Sequence, residues 1–64
     1  MELNYIVELY DQMTSHWYKC ARLPFMPDEF LAERIADECA REMYTSYNKL
    51  RIKNGRTILK ELEF

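Results

Sequence analysis

The chain has 64 residues and a mass of 7.8 kDa, enough for one small domain and too little for a typical enzyme fold with a buried cleft. Hydrophobic residues make up 48% and aromatics 14%, which argues against a disordered tail, while one Gly and two Pro argue against a turn-rich β fold. The net charge of −2 argues against a general nucleic-acid coat, but the charge is uneven: residues 1–42 carry nine acidic and four basic side chains, residues 43–60 carry five basic and none acidic.

Residues 3–21 come first. On a helix, Leu3, Ile6, Val7, Tyr10, Met13, Thr14, Trp17 and Ala21 fall on one stripe, with Tyr5, Leu9, His16 and Cys20 beside it. The apolar arc is roughly 200° wide, more than one partner helix covers. The break follows at Arg22-Leu23-Pro24-Phe25-Met26-Pro27. Pro24 pushes Leu23 out of the α region, and Pro27 suits the first position of a new helix, with Asp28 and Glu29 in its first turn. With Met26 as cap, Phe25 and Phe30 have hydrophobic-staple spacing.

The second helix is expected over 27–53. Leu31, Ile35, Cys39, Met43, Ser46 and Leu50 line one side, and the small residues Ala32, Ala36 and Ala40 allow a neighbouring helix to come close. Asn54-Gly55 stops it. Gly55 as a left-handed cap is the favoured reading, against a hairpin with a type I′ turn at Asn-Gly over 52–58. A short helix or arm over 56–64 completes the chain.

The residues that bear chemistry are few. His16 and Cys20 are four apart, and Cys39 could join them on a metal, but the paired motifs of a structural zinc site are absent, so no metal is expected. A Cys20–His16 nucleophile pair lacks an orienting acid and a pocket, and the single glycine excludes a glycine-rich phosphate loop. No catalytic residue and no cofactor is expected; the chain is not read as an enzyme. In an antiparallel helical hairpin, Cys39 stands some ten residues along the second helix from the level of Cys20, about 15 Å away. The hairpin therefore excludes an intrachain disulfide, which needs Cα atoms within ~7 Å.

The sequence thus predicts an all-α fold: an antiparallel two-helix hairpin with a short C-terminal element, completed as a homodimeric helical bundle. Tyr5, Leu9, Met13, Trp17, Tyr18, Leu23, Phe25, Phe30, Tyr44 and Tyr47 are surplus to one seam and form the expected protein interface. The function that follows is a small regulator or inhibitor, of a general kind encoded by bacteria and phages, that docks this aromatic helical surface on a target protein. Glu29, Glu33, Asp37 and Glu38 would steer it toward a basic surface, such as that of a nucleic-acid enzyme or repressor. The alternative is a small DNA- or RNA-binding protein using Lys49, Arg51, Lys53, Arg56 and Lys60. No stretch reaches the ~18 apolar residues of a membrane span and no signal peptide is visible, so a complete cytoplasmic protein without a membrane partner is expected.

Overall fold

The computed structural model describes residues 4–64. In chain order they form β1 (Tyr5–Asp11), β2 (His16–Leu23), α1 (Glu29–Glu42), β3 (Tyr47–Asn54) and β4 (Thr57–Glu63). The strands make one antiparallel sheet in the order β2-β1-β3-β4, and α1 lies across one side of it. The fold is α+β, which overturns the all-α hairpin and the helical bundle built from it. Leu3, the first residue of the expected apolar stripe, lies outside the described residues.

The first expected helix is a pair of strands. Tyr5–Tyr10 and His16–Tyr18 are rich in aromatic and β-branched side chains, which fit a pleated surface better than a helix. Alternation then divides β1: Val7, Leu9 and Asp11 are buried toward α1, while Ile6, Glu8 and Tyr10 point the other way. An arc of roughly 200° on a helix is thus a strand with apolar residues on both faces. Gln12–Ser15 is the connecting loop, closed by the Ser15 N–H donating to the Asp11 carbonyl at 2.8 Å, with Ser15 in the left-handed region at φ 59°.

Asp11 is the polar anchor of that loop. Its carboxylate accepts the Met13 N–H and the Thr14 hydroxyl, each at 3.0 Å, and the hydroxyl of Thr45 from the α1–β3 connection. The Thr45 hydrogen bond is the main reason its pKa lies below the ordinary 3.8; burial opposes the shift, and Met13 and Thr14 reinforce it. The folded value lies below the unfolded one, so this stabilisation is fully present above the unfolded value and is lost as pH falls through the folded one. Thermal melts of the wild type should therefore lose midpoint as pH drops below about 4. Asp11→Asn should melt lower at neutral pH and lose that part of the acid dependence; an unchanged acid limb would remove Asp11 as its cause.

The helix begins at Glu29, with Asp28 as its cap: the Asp28 carboxylate accepts the Leu31 N–H at 2.7 Å. The expected start at Pro27 with a Met26 cap is two residues early, because a carboxylate satisfies a free helical N–H and a thioether does not. The Phe25–Phe30 staple fails with it. Ala32, Ala36 and Ala40 are buried, so the small-residue line admits the sheet, not a second helix. The end comes at Glu42, well short of 53: Tyr44 adopts φ 53°, and the N–H groups of Tyr44 and Thr45 donate to Arg41 and Ala40 at 3.2 and 3.0 Å, a Schellman closure.

Beyond it, Lys49-Leu50-Arg51-Ile52-Lys53 alternates as a strand, with Leu50 and Ile52 buried against Leu9 and Val7 of β1. Asn54 pairs with Thr57, so Gly55 and Arg56 are the two central turn residues. Gly55 has φ +62° and Arg56 is not left-handed, the type II′ pattern with glycine first. The helix-cap reading of Gly55 is thereby overturned, and the hairpin weighed against it forms one residue further along. The core is Val7, Leu9, Leu50 and Ile52 from the two central strands under Ala32, Ala36 and Ala40, ringed by partly buried residues such as Tyr5, Leu23, Ile35 and Leu62.

Candidate functional site

The side of the sheet away from α1 is uncovered among the described residues. Cross-strand pairing sets its pattern: Tyr10 stands opposite Trp17, Glu8 opposite Lys19 and Arg51, Ile6 opposite Arg22 and Lys53, and Lys49 opposite Glu63. The Tyr10 and Trp17 rings meet edge to face with centroids 5.3 Å apart. The Arg51 guanidinium lies over the Trp17 ring at 4.0 Å and the Lys49 ammonium lies 5.4 Å from the Tyr10 centroid. Glu8 holds Arg51 from the other side at 2.6 Å and reaches Lys53 at 3.9 Å; Lys49 meets Glu63 at 3.7 Å.

These contacts hold the groups in place. Arg51 is clamped between an aromatic face and a carboxylate, and its side chain and that of Glu8 are mostly buried. Five cations (Lys19, Arg22, Lys49, Arg51 and Lys53) face Glu8, Glu61 and Glu63 on this side, leaving it positive. The opposite side is negative, since residues 28–42 carry six acidic and two basic side chains. The molecule is polarised although its net charge is only −2.

The expected interface residues do not form one patch. Leu9 is core, while Tyr5 and Leu23 pack at its margin. Tyr47 packs on the core with its ring against Phe64, centroids 5.9 Å apart, and its hydroxyl donates to the Asp37 carboxylate; burial and that carboxylate push its pKa up. Met13 is 77% exposed at the β1–β2 loop and Tyr44 is 92% exposed at the end of α1. Tyr18 is exposed beside Thr14, and Phe25, Met26 and Phe30 are exposed around the start of α1. Only Trp17 joins the open face. Among the expected basic contacts, Lys49, Arg51 and Lys53 lie together there, Arg56 occupies the β3–β4 turn, and Lys60 turns the other way to pair with Glu29 at 2.5 Å.

Tyr10, Glu8, Lys19 and Arg22 belong to this face and are missed by the helical reading. A signal for the aromatic pair was present: Tyr10 and Trp17 flank the stretch Asp11–His16, polar but for Met13, as a cross-strand pair does around a loop. Cys20 and Cys39, held apart by the expected hairpin, line one cavity, and the burial of Cys20 together with the Cys39 thiol pushes the Cys20 pKa up. Among the described residues no three His, Cys, Asp or Glu side chains converge as a metal site, and no helix is long and apolar enough to cross a membrane. Compared with protein-family models, curated proteins and solved structures, the chain matches none.

Proposed function

We propose that the protein is a small binding module whose open sheet face takes single-stranded nucleic acid. The observation that carries this reading is the joining of Tyr10, Trp17, Lys49 and Arg51 into one preorganised aromatic and cationic group. Aromatic rings stack with bases of any sequence, and the surrounding cations meet the phosphates; an open sheet presents both along a strand-width track. Glu8 and Glu63 oppose the phosphates and hold affinity down. The acidic α1 side keeps the backbone of the ligand on the sheet side. A cytoplasmic setting belongs to this reading.

Trp17 is the only tryptophan, so its fluorescence reports directly on the face. Titration with a short single-stranded oligonucleotide at low salt should quench it. The logarithm of the affinity should fall linearly with the logarithm of salt concentration, with a slope of about −2 for three neutralised phosphates. The absence of both quenching and a labelled-oligonucleotide shift at low salt would overturn the reading.

A second reading rests on a separate observation. Phe25, Met26 and Phe30 are all exposed, Phe30 by 74%, next to Asp28, Glu29 and Glu33. An apolar corner rimmed with acid suits a basic protein surface, the kind of target expected of a regulator. Pull-downs comparing the wild type with Phe25→Ser/Phe30→Ser test it: a partner retained equally by both removes the corner from consideration.

A further inference from the structure

Cys20 sits at a fault in the sheet. Pairing between β1 and β2 runs from Val7–Ala21 directly to Glu8–Lys19, so Cys20 has no partner on β1. Such a bulge re-aims the side chain of the extra residue. Here Cys20 packs against the core margin on the α1 side. Cys39 on α1 packs on the same margin, with its sulfur 3.7 Å from that of Met43. The two thiols line one cavity of about 220 Å³, with Ala21 and Ile35 as its apolar wall and Glu38 and Glu42 at its rim. They come from different elements, nineteen positions apart in the chain, and both are free.

We propose that Cys20 and Cys39 form a thiol-oxidation site, which a low-molecular-weight disulfide such as glutathione disulfide converts to an intrachain bridge. One protein thiol, losing its proton, attacks a sulfur of glutathione disulfide; the protein–glutathione bond forms and one glutathione thiolate leaves. The second protein thiol, likewise deprotonated, attacks the protein sulfur of that mixed disulfide, and the second glutathione leaves. The two protein thiols lose two electrons and two protons, and one glutathione disulfide becomes two glutathiones. Both residues line the same cavity at the core margin, so neither thiol has to cross the core to reach the other.

The bridge staples the edge strand β2 to the helix above it. It closes a loop of nineteen positions, for which the loss of unfolded-chain freedom corresponds to a rise in melting temperature of roughly 10–20 °C in a domain of this size. Without the bridge, β2 is held by β1 on one side only.

The test uses the whole protein, incubated with glutathione disulfide at mildly alkaline pH and then quenched with acid. Mass spectrometry of the denatured product should show a single chain lacking two hydrogens, with no glutathione attached and no free thiol. It should melt higher than the reduced protein and return to the original midpoint on reduction. Cys20→Ser and Cys39→Ser should each end as a glutathione adduct. Chains carrying two glutathiones, disulfide-linked dimers, or two thiols still titratable at equilibrium would overturn the proposal. So would an intrachain bridge that lowers the melting temperature, because the thiols would then not be placed for it.

Discussion

Replacing Leu9 with Ala is expected to destabilise the domain by about 2–5 kcal/mol, whereas the same change at Met13 should stay within about 0.5 kcal/mol of the wild type. Leu9 is fully buried, faces Leu50 across the two central strands and lies beneath the helix. Truncating it removes apolar area and leaves a cavity that the small alanines of α1 cannot collapse to fill, since their side chains are already at the sheet. A domain of this size has only about 3–10 kcal/mol of stability in all, so Leu9→Ala should be partly unfolded at 37 °C. Met13 is a loop residue pointing into solvent. On the helical reading, Leu9 and Met13 lie on one interface and would lose stability together. Urea denaturation of the two variants separates the cases, and equal losses would be incompatible with the sheet.

The second large effect is on binding. Trp17→Ala should weaken the affinity for a labelled single-stranded oligonucleotide about 10–100-fold, the loss of one base–aromatic stack at ~1–3 kcal/mol. Trp17→Phe keeps an aromatic face and should recover most of it. Arg51→Gln has a different signature: it removes the cation over Trp17 and the partner of Glu8, so it should lower affinity and make the salt slope shallower by about 0.7. Folding must be checked alongside, because Trp17 packs on Tyr10 and part of its ring is buried. Circular dichroism of the variants supplies that control. Folded Trp17→Ala with wild-type affinity would show that the aromatic pair is not the contact and would shift attention to the exposed Phe25–Phe30 corner.

The helical error has a physical origin in particular residues. In β1, apolar side chains occupy both faces: Val7 and Leu9 inside, Ile6 and Tyr10 outside. A run filled in that way satisfies a helical stripe and a strand at once, and periodicity alone does not separate them. The width of the arc, the aromatic and β-branched content and the largely polar stretch from Asp11 to His16 all favoured strands. In β3 the alternation of Lys49-Leu50-Arg51-Ile52-Lys53 was plain, but the alanine-rich helix before it made continuation look natural. Asn54-Gly55 carried both the cap and the hairpin meaning, and only the pairing of Asn54 with Thr57 chose between them.

By itself, the sequence determined a proline break between the first segment and a following helix, with acid in that helix's first turn, and a line of small residues at 32, 36 and 40 made for close approach; it set the break at 22–27 and the helix start at Pro27, where the structure runs β2 through Leu23 and starts α1 at Glu29. These are local matters, set by proline geometry, cap chemistry and side-chain volume within one turn of the chain. The sequence also located the basic run that includes Lys49, Arg51 and Lys53. Tertiary structure alone decided what the alanines pack against, which face of β3 carries those cations, and that Tyr10, Trp17 and Glu8 join them. It alone brought Cys20 and Cys39 to one cavity. Each of these is a contact between different elements of the fold, fixed by strand register and by the irregularities that interrupt it. A shift of a single residue in that register would send every side chain of the strand to the opposite face.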